Sequence, residues 1–101
     1  MGDRLDLQTT LESLLGSREV YFQPPSSIKM SYPAIVYVRK DVTSWRANDK
    51  IYRQLPEYEV TLIDSDPDSV FIEKLLQLPY CRFDRHFTSD NLNHDVFSIN
   101  Y

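Results

Sequence analysis

Glycine is nearly missing from this chain: Gly2 and Gly16 are the only two in 101 residues. A phosphate-cradling loop needs several glycines close together so that backbone N–H groups can approach the anion, which excludes nucleotide sites of that kind. Without a glycine elbow, the loop and cap serines also make poor nucleophile candidates. Cysteine is scarcer still. With Cys81 alone, no intrachain disulfide and no multi-thiolate zinc site can form, and the plain expectation is a small buried thiol. No apolar run approaches the roughly 20 residues a membrane span needs, and "MGDRLDLQTT" lacks the apolar core of a signal peptide. The sequence therefore predicts a soluble chain made in the cytoplasm, with no membrane partner. Positive charge is short as well, 11 Lys+Arg against 15 Asp+Glu for a net −4. A DNA-coating protein needs a basic face, whereas an acidic surface can line a DNA passage without gripping it.

The chain is 42% hydrophobic and 13% aromatic, the composition of a folded domain, and its length allows one modest core. A single domain over 1–101 is expected. Seven Tyr, five Phe and one Trp exceed what a small core needs. Amphipathic aromatics suit surfaces that become buried against a partner, so self-association is expected.

Along the chain, Leu7, Leu11, Leu14 and Leu15 recur at helical spacing, and Gly16 supplies the left-handed position that ends such a helix. "REVYFQ" is a short strand stopped by Pro24 and Pro25, and "PPSSIKMSYP" is a loop. "AIVYVRKDV" and "EYEVTLIDSD" read as strands, the second with Tyr58, Val60 and Leu62 on one face and Glu59, Thr61 and Ile63 on the other. Between them, "TSWRANDKIYRQLP" is too polar for a central strand and too long for a tight turn, which predicts an extended hairpin arm. Asp66 is the expected cap of a second helix with Pro67 and Asp68 in its first turn, a buried stripe of Phe71, Leu75 and Leu78, and a stop at Pro79. Strict alternation then places Cys81, Phe83, Arg85 and Phe87 on one side of a strand and Arg82, Asp84 and His86 on the other. "SDNLN" forms a turn, and "HDVFSINY" alternates again. The order α-β-β-β-α-β-β predicts an α+β fold, a mainly antiparallel sheet with two helices packed on it.

Two constellations invite chemistry. Asp64, Asp66 and Asp68 match the first three ligand positions of a calcium loop, but Ser69 stands where the sharp turn needs Gly and Leu75 where a bidentate Glu should close the cage. A capped helix start is the better reading. Asp84, His86 and His94 are the other set, two imidazoles and a carboxylate that a hairpin turning near Asn91 would bring together as a transition-metal or acid/base site. A one-residue slip in register would separate the rings, and hydrogen-bonded structural polars are the favoured reading. No enzyme, metal or cofactor is predicted.

The arm is different in kind. Trp45, Arg46, Lys50, Tyr52 and Arg53 mix positive charge with aromatics in an otherwise acidic protein, and these residue types carry contact energy between chains. Nucleic-acid binding through Arg46 and Arg53 is a weaker alternative. Phe97 and Tyr101, in "VFSINY", are further interaction candidates if that strand forms a sheet edge open to augmentation.

The segments "VYFQPPSSIKMSYPAIVY", "YEVTLIDSDPDS" and "LPYCRFDRHFTSDNLNHDVFSINY" resemble a family of small proteins from the head and tail gene clusters of long-tailed phages and prophages of Gram-positive bacteria. The most specific part is "FDRHFTSDNLNHDVF". Proteins of that group are minor capsid, head–tail joining or tail-completion proteins, and the size and element order are similar to those of tail terminators. The resemblance implies a virion protein that assembles in the host cytoplasm into a ring, typically a hexamer. Its implied partners are sister copies, the tail tube protein and the head completion or connector proteins, with DNA passing through unbound. Another connector layer of the head–tail junction is the nearest alternative. The resemblance supplies no catalytic residue.

Overall fold

A computed structural model describes residues 4–25, 27–47 and 50–101, and over 41–55 it describes the backbone alone. The elements run α1 (Arg4–Leu15), β1 (Val20–Phe22), β2 (Ala34–Ala47), β3 (Lys50–Asp64), α2 (Val70–Leu76), β4 (Cys81–Ser89) and β5 (Leu92–Asn100). They build one α+β unit around a five-stranded sheet of order β1-β2-β3-β5-β4. Every neighbouring pair is antiparallel except β1 with β2, which run parallel.

Leucine spacing makes α1 one-sided, and Leu7, Leu11 and Leu15 are buried on the sheet with Leu75 of α2. Gly16 follows at φ +77°, and its N–H bonds the Glu12 carbonyl at 2.8 Å. The helix-side face of the sheet is organised in rows across the strands. One row runs Phe22, Tyr37, Val60, Phe97, Phe83 and crosses all five strands in register. The next runs Val20, Ile35, Leu62, Asp95, His86. In both, the residues from β2 and β3 are fully buried, while Phe83 on β4 is 48% exposed.

Polar bonds fix α1 over this core. The Tyr37 hydroxyl donates to Gln8 Oε1 at 2.5 Å, Gln8 Nε2 donates to the Val20 carbonyl at 2.9 Å, and the Arg4 guanidinium lies 4.5 Å from the Phe22 ring centroid. Burial pushes the Tyr37 phenol above its ordinary pKa, with Arg4 opposing it, so the hydroxyl stays a donor at neutral pH. At the start of β1, Glu19 accepts from the Tyr21 hydroxyl at 2.6 Å and the Ser31 N–H at 3.0 Å. These two bonds hold its carboxyl below the usual range, Tyr21 contributing more.

The arm is continuous ladder. β2 and β3 pair from Ala34↔Ile63 to Ala47↔Lys50, with irregularities between Arg39 and Asp41 and between Trp45 and Arg46. The α2 start differs from expectation. Ser69 is the cap, its hydroxyl accepting from the Phe71 N–H, and the helix begins at Val70. Asp64 and Asp66 each accept from the N–H two residues on, at 3.1 and 2.9 Å. These Asx turns hold the chain in turn conformation past Pro67, so the helix cannot start at Asp66.

β5 also departs from the edge position expected for "VFSINY". The chain leaves β3 through α2, lays β4 on the outside and returns β5 between β3 and β4. Phe97 is consequently fully buried and Tyr101 packs against the core, its N–H bonded to the Pro56 carbonyl at 3.1 Å.

Replacing Tyr37 by Phe removes the donor that Gln8 Oε1 faces, and urea unfolding is expected to show a loss of about 1–2 kcal/mol. For Gly16→Ala the added Cβ meets open space, so the loss should be conformational alone, about 1 kcal/mol.

Candidate functional site

The β4–β5 hairpin holds both histidines. Asp90 and Asn91, at φ +53° and +63°, form its two-residue turn, as expected of residues that tolerate the left-handed region. Its strands do not alternate throughout. Phe83 pairs with Phe97 but Arg85 pairs with Val96, so Asp84 is an extra residue, a β-bulge. One inserted residue reverses every face beyond it. Cys81, Phe83 and His86 therefore share the helix side, and Arg82, Arg85 and Phe87 share the back, correcting the strict alternation expected from sequence.

That reversal separates the proposed metal set. His86 meets Asp95 on the helix side, Nδ1 to Oδ1 at 2.8 Å. His94 lies on the back, stacked on Phe87 with ring centroids 4.6 Å apart and planes 15° from parallel. Its Nδ1 is 3.3 Å from the Leu92 carbonyl, a backbone contact at the turn exit. Asp84 pairs with Arg85 at 2.7 Å. Among the described residues no group of three His, Cys, Asp or Glu side chains converges on a metal-sized point. Phe83 packs edge-on against Phe97 with ring centroids 5.5 Å apart, while Phe87 lies on the other face with His94.

The His86–Asp95 pair has a local cause. Asp95 continues the row that is apolar through Val20, Ile35 and Leu62, and its carboxylate is buried. A buried carboxylate needs a partner, and the bulge turns His86 toward it. His86 remains 41% exposed at its side chain, so the pair sits at the rim of the core.

On the back face, Glu57 accepts from the Ser98 hydroxyl at 2.8 Å and lies 3.8 Å from Arg82, and Glu59 lies 3.8 Å from Arg85. Arg82 also donates to Asn100 Oδ1 at 3.2 Å. Glu57, Arg82 and Ser98, with Lys40, Phe83 and Asp84, line a shallow open depression of about 240 Å³. Small-molecule sites are mostly larger and apolar, and this one is a strip of paired charges. Such exposed pairs contribute little individually.

Cys81 sits partly buried at the start of β4. Burial pushes its thiol up to about 11, only partly opposed by Arg82. A neutral thiol is neither a nucleophile nor a metal ligand.

The interaction residues named from the arm have a backbone placement only. Trp45 stands opposite Arg53, and Arg46 opposite Ile51, in the β2–β3 ladder. The side chains of Trp45, Arg46, Lys50, Tyr52 and Arg53 lie outside the described residues. What sequence reasoning missed is the exposure of β4, where every residue from Arg82 to Ser89 is exposed. Its signal was present in the alternation of charged and aromatic residues, but only the strand order shows that β4 is an edge.

Compared with known protein families, curated proteins and solved structures, the chain matches none.

At pH 8, Cys81, its thiol pushed up to about 11, should react with iodoacetamide on the order of 100-fold more slowly than an unperturbed thiol, because that much less thiolate is present. Mass spectrometry of timed reactions measures this. His86→Ala and His94→Ala should leave the zinc content of the purified protein unchanged from wild type by elemental analysis, and a stoichiometric metal lost in both variants would contradict the separation of the rings.

Proposed function

We propose that this chain is a structural subunit of a phage neck, a tail terminator-like protein whose copies form a ring, with six the expected number. The ring caps the tail tube on one side and meets the head connector on the other. The resemblance of most of the chain to tail-completion and head–tail joining proteins motivates the reading. The observation that carries it is the β2–β3 arm.

Beyond the last residue of β5, which pairs with Glu57, the two strands continue together. The five register pairs from Thr43↔Leu55 to Ala47↔Lys50 have no third strand beside them, a reach of roughly 15 Å at ~3.3 Å per residue. An isolated two-stranded ribbon is marginal in water. A ribbon that carries Trp45, Tyr52, Arg46 and Arg53 gains its stability by lying against another protein. In a ring every subunit offers one surface and receives another, and an arm that leaves the body is suited to the first role. The chemistry of the described residues agrees with a role in contact: ion pairs, a paired histidine and a protonated thiol.

Deleting the gene in the phage that encodes the chain should leave heads and tails unjoined, with tails of uncontrolled length because nothing caps the growing tube. Tails of normal length beside unjoined heads would move the protein to another connector layer, and normal joining would end the neck reading altogether. In the intact gene, Trp45→Ala should lower infectious particle yield at least about tenfold, the effect expected where an aromatic residue carries contact energy between chains.

A further inference from the structure

We propose that β4 is a self-recognition edge, which pairs antiparallel with β4 of a second copy about a two-fold axis between Asp84 and Arg85, joining two five-stranded sheets into one.

Apart from the arm, where β2 and β3 run without outer neighbours, the sheet ends at β1 and β4, and of these two only β4 is open. β1 is three residues long, and Gln23 at φ +45° followed by Pro24 and Pro25 ends it. A proline has no N–H to offer a new strand. β4 has nine residues, eight of them exposed. Its outward backbone groups follow from the ladder inside. The Asn100 N–H bonds the Tyr80 carbonyl, so even-numbered residues of β5 point at β4, and their partners Arg82 and Arg85 point back. Alternation then aims the N–H and C=O of Phe83 and His86 out of the sheet.

Bulges and charges usually protect an edge from pairing. Here the bulge has a second effect. A strictly alternating strand that pairs with itself about a two-fold must place a residue on the axis, because residues of opposite parity lie on opposite faces. The bulge shifts the alternation between Asp84 and Arg85, and both of these lean to the back face with the charges around them. β4 thereby becomes symmetric in its faces about the point between them. Phe83 and His86 are both on the helix side, Arg82 and Phe87 both on the back, and Phe83 and His86 are also the residues whose backbone points outward. One register matches the faces and sets the outward backbone of Phe83 opposite that of His86, with Arg82 opposite Phe87 and, at the axis between the bonded pairs, Asp84 opposite Arg85.

The side chains suit that register. Asp84 and Arg85 already pair within the chain at 2.7 Å, and across the axis they meet their opposites twice, giving an alternating cluster of two acids and two guanidiniums. Arg82 comes over the exposed Phe87 ring twice, a cation–π geometry. Phe83, 48% exposed, is covered by the imidazole of the second copy. A two-fold contact differs from the head-to-tail contacts of a cyclic ring, so this dimer belongs to the unassembled chain and stands independently of the neck reading.

Sedimentation equilibrium of the full chain up to about 0.5 mM should show a dimer. Asp84→Arg and Arg85→Asp should each weaken association at least about tenfold by placing four like charges at the seam. The double variant Asp84→Arg/Arg85→Asp should restore it. A wild type that stays monomeric, an association indifferent to the single reversals, or a double variant no better than the singles would overturn the proposal. Amide hydrogen exchange of the unaltered protein gives an independent reading. The Phe83 and His86 amides should slow with rising concentration, and exchange that does not depend on concentration counts against the pairing.

Discussion

The structure depends on one-sided burial. Both helices cover the same face of the sheet, so β2 and β3 keep apolar residues inward at Ile35, Tyr37, Tyr58, Val60 and Leu62, and a polar residue on that face, Asp95, is held by a partner. The row Phe22, Tyr37, Val60, Phe97, Phe83 states the constraint most plainly, since it crosses five strands and its three central members are wholly buried. A slip of one residue in any of these ladders would bring charged back-face residues such as Glu59 beneath the helices. The polar ties of Gln8 and Arg4 to Tyr37 and Phe22 then set where α1 rests on that surface. Part of the aromatic surplus is spent here, on Tyr37, Tyr58 and Phe97 inside the core.

Much of this was legible because it is periodic. Leucines at helical spacing, a β3 that alternates without interruption from Glu57 to Asp64, and a turn built from Asp90 and Asn91 each carry their own local signal, and the element order follows from them. The failures share a cause. A bulge is one additional residue, and nothing in "CRFDRHF" marks Asp84 as that residue, so the faces of Arg85, His86 and Phe87 were inverted and with them the relation of His86 to His94. The α2 start was missed because Asp66 and Ser69 are both good caps, and the choice rests on the Asx turns made by Asp64 and Asp66. The strand order was beyond local reasoning altogether, since whether β4 or β5 lies outermost is decided by how the chain returns from α2.

The candidate site is accordingly a matter of surfaces. Its two open features are built by opposite means. The arm continues a strand pair past the point where the rest of the sheet stops, leaving both strands without outer neighbours, whereas β4 is an edge of the body itself, exposed along eight residues. The residues that looked most like chemistry are held in local pairs: His86 with Asp95, His94 on Phe87, Asp84 with Arg85. Each of these contacts fixes the shape of the hairpin, and the hairpin presents the edge.

The charge strip on the back of the sheet has an electrostatic corollary. Lys40, Arg82 and Arg85 are matched there by Glu57, Glu59 and Asp84, three against three, while the whole chain carries −4. The acidic excess therefore resides elsewhere, with Asp64, Asp66 and Asp68 contributing to it from the connection ahead of α2. To a passing polyanion, the balanced strip itself offers neither net attraction nor net repulsion, and whatever repulsion the chain exerts comes from carboxylates outside it.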